Sequence, residues 1–227
     1  MPTHTSKDFA QELQTLRDRL CTMGSRCEDQ ITLAMMALTE RSDVFARQVI
    51  ERDHDIDRDE TEIDELALQI LATRQPVASD LRFITMALKF VTDLERIGDL
   101  ATGIAKRALE INPLPVLTPD VNLTGLSSLV LHNLRAALVA FVAKDAVAAT
   151  AVITADREID KLNAKFFAEL IAHVATDAAT VTRVLPLTSV CRYLERVGDH
   201  VKNLAEEIVY MVSAQDVRHK PLPIPGN

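Results

Sequence analysis

A seven-residue segment of this chain occurs twice. Residues 93–99 read Asp-Leu-Glu-Arg-Ile-Gly-Asp and residues 193–199 read Tyr-Leu-Glu-Arg-Val-Gly-Asp, so five of the seven positions are identical at an offset of 100. The sequence upstream also matches, at an offset of 103, as Asp53 and Asp156 illustrate. A three-residue deletion near residues 70–80 reconciles the two offsets. The chain is therefore an internal duplication, and its period is longer than the roughly 20–50 residues of solenoid repeats.

The composition favours an all-helical fold. The chain has 227 residues, of which 48% are hydrophobic, and it contains six Gly and no Trp. Ala, Leu, Val, Glu, Asp and Arg dominate, and this balance favours helices over strands. A chain of this length suits one large domain or two domains of about 100 residues each, and the duplication favours two.

The net charge of −8 limits the partners that the surface can attract. An acidic surface repels nucleic acid and anionic bilayers, and it suits cations or a basic partner protein. The N-terminus lacks the basic-then-apolar layout of a signal peptide. No segment approaches the ~18–20 apolar residues of a membrane span. We expect a soluble, cytoplasmic protein that neither binds nucleic acid nor inserts into a membrane.

The three cysteines indicate neither a disulfide framework nor a thiolate zinc site. Cys21, Cys27 and Cys191 are odd in number and show no C-x-x-C spacing. We expect them to be ordinary buried or surface thiols.

Apolar spacing predicts three long helices in the first half of the chain. The first opens near Thr5, and Ser42 is a suitable N-cap for the second. Gln75-Pro76 ends the second helix, and Pro76 is placed where the first turn of the third would tolerate it. The third helix runs to about Ile111 with the three-and-four spacing of a bundle helix. Its core stripe consists of Phe83, Ala87, Phe90, Leu94, Ile97, Ala101, Ile104 and Ala108.

Three prolines between residues 112 and 119 interrupt the helical pattern. Proline lacks a backbone N–H and breaks helices, so residues 112–121 are predicted to be a linker between domains. The pattern then restarts with three further helices, at about 123–142, 146–173 and 178–212. We therefore predict an all-α protein of two tandem three-helix bundles related by internal duplication. The first bundle is predicted at 1–111, the second at 122–213, and a Pro-rich tail at 214–227.

The doubled motif places two carboxylates on one helical face. Glu95 and Asp99 are four residues apart, and their face lies away from the core stripe. The second and third helices are antiparallel and joined by a short turn. Asp57 therefore falls level with Glu95, and Asp53 falls level with Asp99. The second copy repeats this arrangement with Asp156, Asp160, Glu195 and Asp199.

Two interpretations of these acidic residues remain open. Charged residues on helices most often form a solvated face. Like charges held together also repel unless a cation lies among them, and all-oxygen ligands suit hard ions such as Mg²⁺, Ca²⁺, Mn²⁺ or ferric iron. Gly98 recurs as Gly198 although Gly costs about 1 kcal/mol in helix propensity. Its recurrence indicates either close approach of a neighbouring backbone or room for a ligand.

The third helix of each bundle also carries an apolar stripe outside its core stripe. The stripe consists of Leu81, Ile84 and Leu88 in the first copy, and of Val181 and Val184 in the second. Apolar area beside charge is typical of a docking surface, because apolar area gives affinity and charge gives selectivity. We expect the stripe of the first copy to meet the other bundle, a second subunit or a partner protein.

The tandem bundles and the doubled Leu-Glu-Arg-apolar-Gly-Asp motif, at 94–99 and 194–199, resemble the PhoU family of phosphate-signalling proteins over residues 8–213. In that family such motifs carry multinuclear metal clusters, reported with iron or zinc, on the surface of each bundle. The resemblance implies divalent or trivalent metal cofactors, with iron, manganese, magnesium and zinc as candidates. The implied ligands are Glu95, Asp99, Glu195 and Asp199, with the second-helix pairs Asp53/Asp57 and Asp156/Asp160.

The two copies differ just after the motif. Asp199 is followed by His200 and Asn203, whereas the first copy has Leu100 and Gly103 at these positions. If His200 or Asn203 assists metal ligation, the first site should be the weaker one.

The resemblance implies regulation rather than catalysis. PhoU-like proteins couple a phosphate ABC importer to a phosphate-responsive sensor histidine kinase, and they repress the phosphate-starvation response when phosphate is plentiful. The implied partners are that kinase, the ATPase subunit of the importer, and a second copy of the chain in a homodimer. Two rival interpretations are a metal-storage protein or metal-dependent enzyme, and a metal-free helical adaptor.

Overall fold

The computed structural model describes residues 4–118 and 121–218. Within these ranges the regular secondary structure is entirely helical, which confirms the predicted all-α fold. The helices are α1 (His4–Thr39), α2 (Asp43–Arg74), α3 (Ala78–Ile111), α4 (Thr124–Ala143), α5 (Ala146–Thr176) and α6 (Val181–Ser213), with a short 3₁₀ turn (Ala178–Thr180) before α6. Residues 119–120 of the predicted linker and 219–227 of the predicted tail lie outside the described residues.

Equivalent residues cap the second helix of each bundle. Ser42 Oγ accepts a hydrogen bond from the backbone N–H of Phe45 at 3.4 Å. Asp145, at the offset of 103, accepts from the N–H groups of Val147 and Ala148 at 2.9 and 3.0 Å. Such caps satisfy backbone donors that a helix start leaves free. They confirm the predicted start of α2.

The helix before α3 ends as predicted, but Pro76 is not helical. Gln75 adopts the left-handed conformation, with φ of 49°, just after α2. Val77 is the N-cap residue of α3, so Pro76 lies in the connection between the two helices instead of the first turn. The observed turn is therefore two residues longer than expected, because the prediction placed Pro76 in the first turn of α3.

The core stripe of α3 is buried as predicted. All eight of its residues have exposures of 5% or less. Further positions beside the stripe are buried too, among them Val91, Leu100 and Ala105. The reason is that α3 packs against α6 about as extensively as it does against α1 or α2. The two bundles consequently share one continuous hydrophobic core.

Equivalent residues of α3 and α6 meet across the bundles. Asn203 Nδ2 donates to Asp93 Oδ1 at 3.2 Å. The reciprocal pair is Tyr193 and Gly103, where a Cβ added at Gly103 would lie 3.1 Å from Tyr193 Cε2. Each member of one pair matches a member of the other at the offset of 100. The contact between α3 and α6 is therefore approximately two-fold symmetric, polar on one side and aromatic on the other.

Helix α4 is apolar enough, by length and composition alone, to cross a membrane, contrary to our expectation that no segment would be. Eight of its residues are buried, including Val130, Leu134 and Phe141. It packs against α1, α5 and α6. The core accounts for part of this composition, since 44% of the apolar stretch is buried and core helices share the composition of membrane spans.

The glycines of the doubled motif let neighbouring helices approach closely. A Cβ added at Gly98 would lie 2.8 Å from Ile56 Cδ1, and one at Gly198 would lie 3.0 Å from Ile159 Cδ1. Both isoleucines are buried, and they occupy equivalent positions in the duplication. The group that requires glycine is therefore an isoleucine side chain of the preceding helix and not a neighbouring backbone.

Replacing Gly98 by Ala should destabilise the protein, although Ala is about 1 kcal/mol better than Gly in a helix. The added methyl group overpacks a buried contact, which typically costs about 1–3 kcal/mol, so we expect a net loss of about 1 kcal/mol. Gly125 is the matched control, because a Cβ there meets Leu162 Cδ2 only at 4.0 Å. Urea unfolding measures both variants. A Gly98→Ala protein that gains stability as Gly125→Ala does would show that the Ile56 contact is loose.

Candidate metal centres

The acidic side chains of α2 and α3 lie close enough to influence one another's ionisation. Burial raises the pKa of Asp53, and the charges of Asp57 and Asp99 raise it further. Burial, followed by the charges of Asp99 and Glu60, raises the pKa of Glu95 to about 7. The structure thus brings the four predicted residues together and adds Glu60. We call these five residues the first cluster.

The equivalent side chains of α5 and α6 form the second cluster, which consists of Asp156, Asp160, Glu195 and Asp199. Burial raises the pKa of Glu195, and the charges of Asp199, Asp160 and Asp156 raise it further. Burial and the charge of Asp156 likewise raise the pKa of Asp199. Each bundle therefore holds carboxylates together against their mutual repulsion.

Part of each cluster is buried. The side chain of Glu95 is 15% exposed and that of Asp156 is 6% exposed, whereas that of Asp99 is 45% exposed. Glu95 Oε2 and Asp156 Oδ1 are shielded from solvent and accept no hydrogen bond from the described residues. A buried oxygen without a hydrogen-bond partner is costly. A fully solvated acidic face therefore does not describe Glu95 and Asp156.

Each cluster is balanced by a different basic side chain. In the first cluster Arg96 lies between two acids, with Nε 3.3 Å from Glu95 Oε2 and Nη1 3.0 Å from Asp99 Oδ2. In the second cluster Lys202 Nζ donates to Asp156 Oδ2 at 2.9 Å. Arg96 belongs to the doubled motif, but Lys202 lies outside it and sequence reasoning missed it. A comparison of the two copies could have indicated Lys202, because the equivalent residue of the first copy, Thr102, is uncharged.

The described residues hold the donors of a hard-cation site without a finished ligand shell. In residues 4–118 and 121–218, no three His, Cys, Asp or Glu side chains form a group that could hold a metal ion as they stand. The donors are carboxylate oxygens, which hard cations prefer. One oxygen in each cluster is buried without a hydrogen bond, although that of Glu95 is ion-paired with Arg96. The donor chemistry therefore fits a hard cation, and ligation requires side-chain rotation.

His200 and Asn203 contact the other bundle. His200 Nδ1 lies 2.7 Å from Asp93 Oδ1, the same oxygen that accepts from Asn203. These contacts join α6 to α3, so the structure gives both residues an interface role in place of the ligand role considered from the sequence. Asp93 was missed as well. Its signal was that the doubled motif has an acid at this position in the first copy and Tyr193 in the second.

The predicted docking stripe is only partly accessible. Leu81 is 41% exposed, Leu88 is partly buried against the core, and Ile84 is fully buried. In the second copy Val181 is exposed and Val184 is buried. The prediction that Ile84 lies on a docking surface is therefore wrong. Because α3 packs against three other helices, apolar positions beside its core stripe are buried as well.

The raised pKa of Glu95 makes the stability of the metal-free protein depend on pH. Its pKa is about 7 in the folded protein against 4.5 for an unperturbed Glu. Its protonated form favours folding, so this contribution is present below pH ~4.5 and is lost as pH rises through about 7. Glu95→Gln stays neutral, and we expect it to raise the free energy of unfolding at pH 8 by about 1–2 kcal/mol, since solvent screens part of the full shift.

Chemical unfolding of chelator-treated protein at pH 5 and pH 8 measures this effect. The matched control is Glu65→Gln, an exposed acid on α2 outside the first cluster, which should leave the pH dependence unchanged. If Glu95→Gln and Glu65→Gln behave alike at pH 8, Glu95 is solvated and its raised pKa is not a property of the folded protein.

Known proteins share both the sequence and the arrangement of these bundles. Residues 20–108 and 123–208 each match the model of the PhoU domain. A Pseudomonas putida protein named phosphate-specific transport system accessory protein PhoU homolog is 40% identical, covering 96% of this chain and 86% of its own length. The crystal structure of PhoU from Pseudomonas aeruginosa matches with a TM-score of 0.88 and 38% identity, over 91% of this chain and 100% of that one. The phosphate transport system regulatory protein PhoU from Streptococcus pneumoniae matches with a TM-score of 0.84 and 28% identity, over 92% and 99%. This chain belongs to the PhoU family.

Proposed function

We propose that this chain is an accessory regulator of phosphate uptake that represses the phosphate-starvation response when phosphate is plentiful. The observation that carries the proposal is its similarity, over nearly its whole length, to proteins named as phosphate-specific transport system accessory proteins. In this proposal the chain acts on the cytoplasmic side of the membrane. There it links the ATPase subunit of a phosphate ABC importer to a sensor histidine kinase. No catalytic step is assigned to it.

We further propose that both clusters bind hard cations as cofactors. Divalent or trivalent ions place positive charge among carboxylates that otherwise repel one another, and iron, manganese, magnesium and zinc are the candidates. The support is a buried carboxylate oxygen in each cluster that accepts no hydrogen bond, Asp156 Oδ1 and the Arg96-paired Glu95 Oε2. The same observation favours a second candidate function, metal storage. The ligands would be Asp53, Asp57, Glu95 and Asp99 in the first cluster and Asp156, Asp160, Glu195 and Asp199 in the second.

Cation binding should raise the melting temperature. A ligand that binds only the folded state stabilises it by mass action, by about 2.7 kcal/mol at a hundred times its Kd. We expect Mn²⁺ to produce such a rise in chelator-treated protein. In the Glu195→Ala/Asp199→Ala variant we expect a smaller rise, because the second cluster no longer binds the ion. Scanning calorimetry with and without Mn²⁺ measures the rise. A double variant that responds like the parent protein would leave the metal-free adaptor as the remaining interpretation.

The accessible part of the docking stripe is the candidate partner surface. Leu81 is exposed and Leu88 contributes only its outer part, so the proposed contact with the kinase or the ATPase centres on Leu81. Acidic side chains of the first cluster lie further along the same helix, which suits a partner with apolar and basic residues. A homodimer is part of the same proposal, and light scattering of the purified chain tests it.

An exposed Leu81 predicts a regulatory defect without a folding defect. Leu81 is 41% exposed, so burying the rest of it against a partner contributes about 1 kcal/mol, a roughly fivefold effect on affinity, and an Asp there would add the cost of burying a charge. Leu81→Asp should therefore derepress phosphate-starvation genes in phosphate-rich medium while the helix content is unchanged. A reporter strain carrying the variant at normal protein level measures this.

Two controls are needed to interpret the reporter experiment. Val147→Asp makes the same change at an 81% exposed position of α5, outside the stripe, and should leave repression intact. The unaltered chain, restored to a strain that lacks it, should repress the reporter. Failure of that restoration would contradict the regulatory function itself, whereas full repression by Leu81→Asp would contradict only the docking surface.

A further inference from the structure

The two clusters differ in charge at two positions: Glu60 of the first cluster corresponds to Asn163, and residue 102 differs from residue 202. Position 102 of α3 is Thr and the equivalent position 202 of α6 is Lys. Lys202 Nζ donates to Asp156 Oδ2 at 2.9 Å, so the second cluster contains an ammonium group of its own. Thr102 is 3% exposed, and its uncharged hydroxyl lies near Asp53, the equivalent of Asp156, where it offsets part of the rise that burial causes in the pKa of that carboxyl. The first cluster therefore has no cation at the place where the second cluster has one.

Arg96 does not supply the first cluster with an equivalent cation. Its side chain is 54% exposed, and it pairs with Glu95 at 3.3 Å and with Asp99 at 3.0 Å. Solvent screens the ion pairs of an exposed guanidinium. Lys202 is 38% exposed and its partner Asp156 is 6% exposed, against 15% for Glu95 and 45% for Asp99. The Lys202 pair is therefore the more buried of the two, and breaking it leaves the charge of Asp156 uncompensated.

Asp156 remains able to meet a cation despite its bond to Lys202. Its Oδ1 atom is buried and unpartnered. It lies at the Gly198 contact, where Ile159 Cδ1 occupies the space beside the glycine, so a cation reaches it only after side-chain rotation. A cation that approaches this oxygen feels the positive charge of Lys202 on the other oxygen of the same carboxylate. The second cluster therefore repels a cation at a place where the first cluster has the uncharged Thr102.

We propose that Lys202 is a built-in competitor of the cation at the second cluster, so that the two clusters load in order, the first before the second. This inference rests on the proposed binding of hard cations to the clusters. It reverses the order that His200 and Asn203 would give as ligands, because both residues contact Asp93 instead. Lys202 thereby raises the cation concentration that is needed to load the second cluster.

The experiment isolates one cluster at a time in the full-length chain. Glu95→Gln/Asp99→Asn disables the first cluster, and Glu195→Gln/Asp199→Asn disables the second. Mn²⁺ is titrated into each chelator-treated protein at constant pH and ionic strength, and calorimetry gives its affinity and stoichiometry. We expect the chain with only its first cluster to bind Mn²⁺ at least about tenfold more tightly than the chain with only its second.

Lys202→Met, which keeps the length of the side chain and removes its charge, is then added to each of these proteins. We expect it to raise the affinity of the second cluster about tenfold and to leave that of the first cluster unchanged. Lys202→Arg is the matched control, because it keeps the charge and should keep the weak binding. Lys202→Thr, which copies the residue of the first cluster, should act as Lys202→Met does and serves if that variant folds poorly.

The outcomes separate this inference from the proposed cofactor. If the unaltered chain binds no Mn²⁺, the proposal that the clusters bind cations is overturned and this inference with it. If the unaltered chain binds Mn²⁺ but both clusters have equal affinity, or if the neutral Lys202 variants bind no more tightly than Lys202→Arg, then Lys202 is not a competitor. In that case the cofactor proposal stands.

Discussion

Packing between apolar side chains holds carboxylates close together although they repel one another. The properties of this molecule depend on these two opposing effects. Ile56 enters the space that Gly98 leaves open, and Ile159 does the same at Gly198. These contacts fix the distance between neighbouring helices, so the acids that flank them cannot separate without losing buried apolar area. Burial and the charges of the neighbouring acids raise the pKa values of Glu95 and Glu195. A proton or a cation that neutralises these acids therefore stabilises the folded protein, because it relieves a repulsion that the packing of the bundle imposes.

The two bundles reduce the repulsion between these acids in different ways. In the first bundle the acids rely on Arg96, whose side chain is 54% exposed. In the second bundle one acid is buried and paired with Lys202. The caps of α2 and α5 and the motif glycines Gly98 and Gly198 have remained equivalent while the charges have diverged. Two clusters of different charge attract a cation with different strengths, whereas two identical clusters would not.

Local patterns predicted the features that depend on neighbouring residues of one helix. The α3 core stripe follows from three-and-four spacing, and the cap at Ser42 follows from its side chain. Level matching of antiparallel helices also predicted that the acids of α2 meet Glu95 and Asp99, but other contacts between distant residues were not predicted. The burial of Ile84 depends on how α3 packs against three other helices, and the role of Lys202 depends on an acid 46 residues away. The doubled glycine did indicate a close approach, but not that an isoleucine makes it.

The contact between α3 and α6 has the symmetry of a dimer interface. Residue 93 contacts residue 203 and residue 193 contacts residue 103, which is the reciprocity that an isologous dimer interface shows between two identical subunits. The two halves are thus related as the subunits of such a dimer are, but the contact between them lies inside one continuous core. Neither half can be released without exposing the side of α3 or α6 that the other covers. Because both halves belong to one chain, a position and its copy can carry different residues, as Asp93 and Tyr193 do.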